Sequence, residues 1–277
     1  MRGVRSVRDV RGIMPGRKIT ITPEYPTLMM QDCPPDRIPA LLAHIESRPW
    51  YTAVRFLLRT GRARVMVDDP ARPRAVTVTT SAGAYFVPLG SVEPLVDFLA
   101  EEPGIARIWV SNPEAEGILE KTVIGEDRTP ITVFAAPTDW RPVAPDVTGP
   151  VARLLGPADT AAVSALIRGG GEWLTDGFGS AAVLLAEGMA AGVEADGQLI
   201  SVAATLAVAP PYVEVGAHTM PEARGRGAAT ASVHVLFAAI AARDWLPQWT
   251  TFASDEPMAR RVGLVPADVG VEYRRDE

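Results

Sequence analysis

Residues 212–243 read YVEVGAHTMPEARGRGAATASVHVLFAAIAAR, and no other stretch narrows the possible folds as far. From Tyr212 to Thr219 the side chains alternate, with Val213 and Val215 on one side and Glu214, Gly216 and His218 on the other. That period of two is the pattern of a strand. From Ala228 the chain becomes apolar at helical length and stops before Pro247. Between them stand two glycines and two arginines, which extend neither element. A strand that feeds a helix through a glycine turn belongs to an α/β protein. Helix starts carry unpaired N–H groups and the positive end of the dipole, and so hold phosphate oxygens well. Gly225 and Gly227 allow left-handed backbone and close approach to a ligand. Arg224 and Arg226 can add charge-assisted bonds, and Ala228, Ala229 and Ala231 keep the helix start free of bulk. The competing reading is a tight turn whose glycines serve geometry alone. The run is not a P-loop, since no Gly-Lys-Ser/Thr follows, and Thr230 breaks the dinucleotide pattern G-x-G-x-x-G.

The whole chain of 277 residues bounds the alternatives. A net charge of −6 speaks against a general binder of nucleic acid or anionic membrane. One cysteine, Cys33, allows no internal disulfide framework, and three scattered histidines make no recognisable metal motif. No apolar run reaches membrane-spanning length and the N-terminus lacks an apolar signal core, so the expectation is a soluble cytoplasmic protein without a metal or a membrane partner. Residues 1–35 open with Arg2, Arg5, Arg8, Arg11, Arg17 and Lys18 against Asp9, which reads as a solvated basic extension, with an RNA- or partner-binding arm as the alternative. From 36 to 138 helical and alternating segments follow each other: DRIPALLAHI as a helix, RARVMVDD, AVTVTTSA and AYFVPLG as strands, VEPLVDFLAEE as a helix, ARIWVS as a strand, then PEAEGILEK and PITVFAA as a helix and a strand. The proline-rich 139–149 reads as a linker. From 150 a second α/β unit runs to 277, with a hairpin turned at Asp196-Gly197.

The stretch EARGRG resembles the central motif of the GNAT acyltransferase superfamily, Arg/Gln-x-x-Gly-x-Gly/Ala after the fourth strand, with Glu222 in the first position. The order of elements from 150 to 277 is similar to that fold, and SDEPMARRVGL resembles its closing helix. DWLPQWTTFASDEPMARRVGL together with the N-terminal VMVDDPARPRAV is similar to a bacterial GNAT subfamily with a Pro-x-Trp before the fifth strand and an extra N-terminal α/β domain. The resemblance implies an α/β (α+β) protein of two GNAT-like domains, each a mixed, mostly antiparallel sheet flanked by helices. It implies that N–H groups from Arg224, Gly225, Arg226, Gly227, Ala228 and Ala229 take the pyrophosphate of acetyl-CoA or another acyl-CoA. Ala217, His218 and Thr219 would then pair with the pantetheine arm.

An amine attacking a thioester must lose a proton, and a carboxylate or histidine can take it. Glu214 lies on the strand where the resemblance places a glutamate base, with His218 as the alternative; against both stands a Glu214 ion-paired within the sheet and a His218 satisfied there. The tyrosine that the family uses as proton donor falls at Ala259, so Ser254, water or departure of a free thiolate takes its place. GGGEWLTDGFGS falls where the resemblance puts the acceptor pocket, and Glu172, Trp173, Asp176 and Phe178 suit a cationic amine, or else form a helix cap and two core aromatics. Between AYFVPLG and VEPLVDFLAEE only Gly90-Ser91 intervene, so the N-terminal unit is expected to hold no second CoA. The resulting expectation is an N-acyltransferase acting on a small-molecule amine, with a homodimer left open. Its rivals are a GNAT-fold transferase using an aminoacyl-tRNA or carrier-bound donor, and a non-catalytic acyl-CoA-binding regulator.

Overall fold

The computed structural model describes residues 30–90, 98, 107–111, 115–117, 119, 128–143 and 149–274. The basic extension up to residue 29, most of the helix expected over 92–102, and the middle of the proline-rich segment lie outside these. The first half comprises β1 (Gln31–Asp32), α1 (Ile38–His44), α2 (Thr52–Thr60), β2 (Arg64–Val67), β3 (Ala75–Thr80), β4 (Gly83–Pro88), β5 (Arg107–Val110) and β6 (Arg128–Ala135). The second comprises β7 (Ala152–Leu155), α3 (Thr160–Ile167), α4 (Ala181–Glu187), β8 (Ala190–Ala195), β9 (Gln198–Ala209), β10 (Tyr212–Thr219), α5 (Ala228–Ala241), β11 (Leu246–Thr251), α6 (Glu256–Arg261) and β12 (Val265–Arg274).

All twelve strands join one sheet in the order β1-β2-β3-β4-β5-β12-β6-β11-β10-β9-β8-β7. Read from either end, the pattern is the same: antiparallel strands, one parallel pair (β4 with β5, β10 with β11), then the two central strands. Those central strands are exchanged. β6, which closes the N-terminal half in sequence, pairs with β11, and β12, which closes the C-terminal half, pairs with β5. β6 and β12 also pair with each other from Val265 opposite Ala135 to Tyr273 opposite Arg128. The two GNAT-like halves are therefore stitched into one mostly antiparallel sheet.

Local sequence explains the elements. The β8–β9 hairpin turns on Asp196 and Gly197, both left-handed (φ 51° and 75°), as the Asp-Gly pair predicts. Ser180 caps α4 by accepting the Val183 N–H at 3.3 Å. α2, which the reading of the sequence passed over, ends at Gly61, left-handed at φ 64° with its N–H donated to the Leu57 carbonyl. The Pro-x-Trp pair, Pro247 and Trp249, lies inside β11 rather than before it. Pro247 has no N–H to give the sheet, and its carbonyl accepts the Ala136 N–H at 2.9 Å. Trp140, within the proline-rich segment, is buried edge-on against Phe237.

α5 packs on the β8–β10 face through Val233, Leu236, Phe237 and Ile240, opposite Val213 and Val215. Each of these buried side chains contributes about 1.5–3 kcal/mol of transfer free energy. On the other face α2, from the N-terminal half, lies across β9 and β10 of the C-terminal half. Its Thr52 hydroxyl donates to Gln248 Oε1 at 2.8 Å, both side chains buried. Among the described residues, no helix is long and apolar enough to cross a membrane.

Candidate active site

The glycine turn and the start of α5 form an open cradle. Gly225 and Gly227 sit at φ 75° and 82°, where a side chain is strained. A Cβ at Gly225 would meet nothing within 4 Å, and at Gly227 only Pro150 Cδ at 3.6 Å. Among the described residues nothing fills the space above them. No side chain caps α5, and its first backbone bond is from Ala231 N–H to the Gly227 carbonyl. Arg224 folds back to donate from Nε to the Thr219 carbonyl at 3.2 Å, which ties the turn to the end of β10. Arg226 stands exposed.

The cradle opens onto a gap in the sheet. β10 and β11 pair only over Tyr212, Val213 and Glu214 against Leu246, Pro247 and Gln248. Beyond Glu214, β10 continues to Thr219 and β11 to Thr251 without pairing with each other. The backbone of Ala217, His218 and Thr219 lies along this splay, between the cradle and Glu214. A pantetheine-like chain with its own amides fits such an edge, and a diphosphate fits the uncapped helix start, so the residues present suit coenzyme A.

At the inner end of the splay a cavity of about 150 Å³ is lined by Glu214, Trp173 and Asp176 from the C-terminal half and by Phe56, Tyr85, Arg107 and Trp109 from the N-terminal half. The Glu214 carboxyl accepts a hydrogen bond from the Thr250 hydroxyl at 2.7 Å. Burial raises its pKa above the ordinary carboxylate value, and the Thr250 bond partly offsets that rise. Among the described residues Glu214 has no ion-pair partner, so the ion-paired alternative finds no support there. Burial also raises Asp176, against the lowering pull of Arg107. Tyr85 and Trp109 stack at 4.8 Å, and the Trp109 Nε1–H donates to the buried Glu272 at 3.2 Å, which fixes the indole in the wall. Trp173 packs on the strand at Gly216, where a Cβ would come within 2.5 Å of its ring. Only glycine leaves room for it.

The other expected site residues are placed elsewhere. His218 lies on the same strand face as Glu214 but at the cradle end, its ring against Gly171, whose Cβ would sit 2.9 Å from His218 Cγ. It is 8% exposed and its buried Nε2 has no partner among the described residues, so they do not satisfy it. Burial, then Arg224, lowers its pKa and favours the neutral ring. Glu172 is exposed and pulls on His218 in the opposite sense, outside the cavity lining. Phe178 is buried against Phe56 at 5.1 Å, with the Arg62 guanidinium over both rings, and so belongs to the core below the cavity. Ser254 is exposed in the turn before α6. Ala259 is fully buried among the residues packed on α5, and its methyl carries no proton to give.

The wall contributed by Phe56, Tyr85, Arg107 and Trp109 is absent from the sequence reading. Tyr85 and Trp109 lie in segments correctly read as strands, but an aromatic in a strand signals packing. Only the position of α2 over β9 and the parallel pairing of Tyr85 with Trp109 bring them to Glu214.

The fold, one sheet built from two similar halves, is shared with solved GCN5-related N-acetyltransferase structures. The chain is similar to a GCN5-related N-acetyltransferase-like protein from Streptococcus suis (TM-score 0.67, 17% identity, 86% of this chain and 98% of that one). It is also similar to a GCN5-related N-acetyltransferase from Sphaerobacter thermophilus (TM-score 0.62, 15% identity, 90% and 96%). A third likeness is to a tandem GNAT protein from the clavulanic acid biosynthesis pathway (TM-score 0.60, 13% identity, 89% and 97%). No protein-family model and no curated protein matches the chain.

Proposed function

We propose that the protein is an N-acyltransferase that moves an acyl group, most simply acetyl, from an acyl-CoA to the amine of a small acceptor bound between the two halves. One observation carries this reading: a single splay between β10 and β11 runs from an open phosphate cradle at one end to a buried, raised carboxyl at the other. The acyl-CoA supplies the thioester carbonyl and the thiolate leaving group. Backbone N–H groups around Gly225–Ala229 hold the diphosphate, and the unpaired edge of β10 at Ala217–Thr219 orients the arm. Glu214, as the carboxylate, takes the proton of the incoming ammonium, and its raised pKa brings it closer to the strength a base needs near neutral pH. Trp173, Trp109 and Tyr85 exclude water and offer π faces to a cationic amine, with Asp176 as a second negative group. Ala259 gives no acid, so the thiolate leaves free or draws its proton from water or Ser254; with a thiol pKa of about 8.5 a free thiolate costs little.

The buried Ala259 also favours a second reading, a regulator that binds acyl-CoA without turnover. An amine library incubated with acetyl-CoA and read by mass spectrometry separates the two. Acetylated products are expected; tight CoA binding with no product from any amine would leave the regulator.

A further inference from the structure

A second cavity, of about 300 Å³, opens in the N-terminal half between α1 and the β2–β3 connection. Its ionisable lining is Arg37, His44, Arg72 and Arg74 with the Cys33 thiol, and no carboxylate lines it. In a chain of net charge −6 this is a local reversal of sign.

Of the nearby acids, Asp68 and Asp69 are engaged elsewhere, while Asp36 stays beside Arg37 and Cys33. Asp68 is buried and accepts the backbone N–H groups of Arg74 and Ala75 through Oδ1 at 2.8 and 3.1 Å. Its Oδ2 accepts from Arg74 Nε at 3.0 Å, so one edge of that guanidinium is anchored. Asp69 turns back to the Ala71 N–H at 2.8 Å. Arg37 has Asp36 at 3.9 Å, both well exposed, and among the described residues Arg72 has no ion-pair partner. His44 Nδ1 sits 2.8 Å from the Ala40 carbonyl, which leaves Nε2 as the open ring nitrogen. Pro70 and Pro73 flank Arg72 and fix the backbone that presents it, so little backbone entropy remains to be lost on binding. The volume equals roughly ten water molecules at about 30 Å³ each. Arginines lining one such space offer donors that match the oxygens of a phosphate or carboxylate.

We propose that this cavity binds a compact oxyanion, the phosphate or carboxylate group of a small molecule, held by Arg37, Arg72 and Arg74. The site is independent of the CoA cradle, which lies in the other half.

Cys33 is the chain's single cysteine, so it reports on this cavity alone. The full-length protein is alkylated with iodoacetate and with iodoacetamide at one pH and one ionic strength, and the ratio of the rates is normalised to a free thiol. Charge focusing in a cleft raises the local anion concentration by about tenfold or more, and the ratio should rise accordingly. Inorganic phosphate or acetate should suppress it beyond an equal ionic strength of chloride, and whichever protects identifies the oxyanion. Arg72→Ala and Arg37→Ala should each return the ratio toward that of the free thiol. Arg74 is left in place, since its loss would strand the buried Asp68 carboxylate. In parallel, phosphate and acetate are titrated in thermal melts at saturating CoA; the better oxyanion should raise the wild-type Tm and leave Arg72→Ala unmoved. A free-thiol ratio in the wild type, or protection no greater than chloride gives, overturns the proposal, as does an equal rise in the melts of both proteins.

Discussion

Gly227→Asp tests the cradle because the structure sets its two effects in opposition. In the free protein the substitution is nearly neutral. A non-glycine residue at φ 82° costs about 1–2 kcal/mol, with Asp at the low end, while a carboxylate at a helix start gains about 0.3–1 kcal/mol from the dipole. The new Cβ meets only Pro150 at 3.6 Å, an ordinary contact. For a chain of this size the Tm should move by no more than about 2–4 °C. With CoA the same carboxylate faces the diphosphate. At about 4 Å a pair of unit charges repels by about 1 kcal/mol in water and about 4 kcal/mol at the effective dielectric of a protein surface. At about 1.4 kcal/mol per tenfold, the CoA Kd should rise by roughly fivefold to several-hundredfold. Calorimetric titration with CoA, beside a thermal melt, measures both effects. Gly227→Asn keeps the size and the tolerance of left-handed backbone without the charge, and should recover most of the affinity. An unchanged CoA affinity in a folded Gly227→Asp protein would refute the assignment of this turn to phosphate.

Glu214→Gln should lower turnover by about 10²–10⁴-fold at neutral pH with CoA affinity nearly unmoved; a loss of only a few-fold would make Glu214 structural and pass the role to His218. Because burial raises the Glu214 pKa, the acidic limb of kcat/KM should lie above the ordinary carboxylate range, and base function is lost as pH falls through it. Thr250→Val removes the hydrogen bond that holds that pKa down, so the limb should shift to higher pH; a shift to lower pH contradicts the assignment. Calorimetry should find one CoA per chain, since Gly90-Ser91 offers no second glycine–arginine turn; two would show a working site in the N-terminal half. A fragment of residues 150–277 lacks β6 and leaves β12 without either neighbour, so it should be insoluble alone and recover when co-expressed with residues 1–149; a monomeric fragment with a cooperative melt counts against the exchange.

The cradle was legible because its chemistry is local. Gly225, Gly227 and the bare helix start are neighbours in sequence, and their residue type permits the left-handed geometry they adopt. The alternation of β10 likewise placed Glu214, Gly216 and His218 on one face. The far wall of the cavity was not legible, because Phe56, Tyr85, Arg107 and Trp109 meet Glu214 through pairings between distant segments. α2 escaped notice although its signals are present, with Val54, Phe56, Leu57 and Leu58 buried and Gly61 as its stop, because Arg55 and Arg59 interrupt the apolar run. Phe178 shows the converse error: a residue near the site in sequence was drawn into the core by Phe56, from the other half.

The exchange of β6 and β12 also orders the life of the chain on the ribosome. β12 is made after all eleven other strands, yet it lies between β5 and β6 and carries Glu272, the carboxylate that orients Trp109. Until it emerges, the N-terminal half is a sheet with a vacant slot, its β5 edge exposed to any passing strand. The wall of the cavity beside Glu214 is therefore completed last. Such a half-built sheet is the state most in need of chaperone protection, for as long as synthesis of the second half lasts.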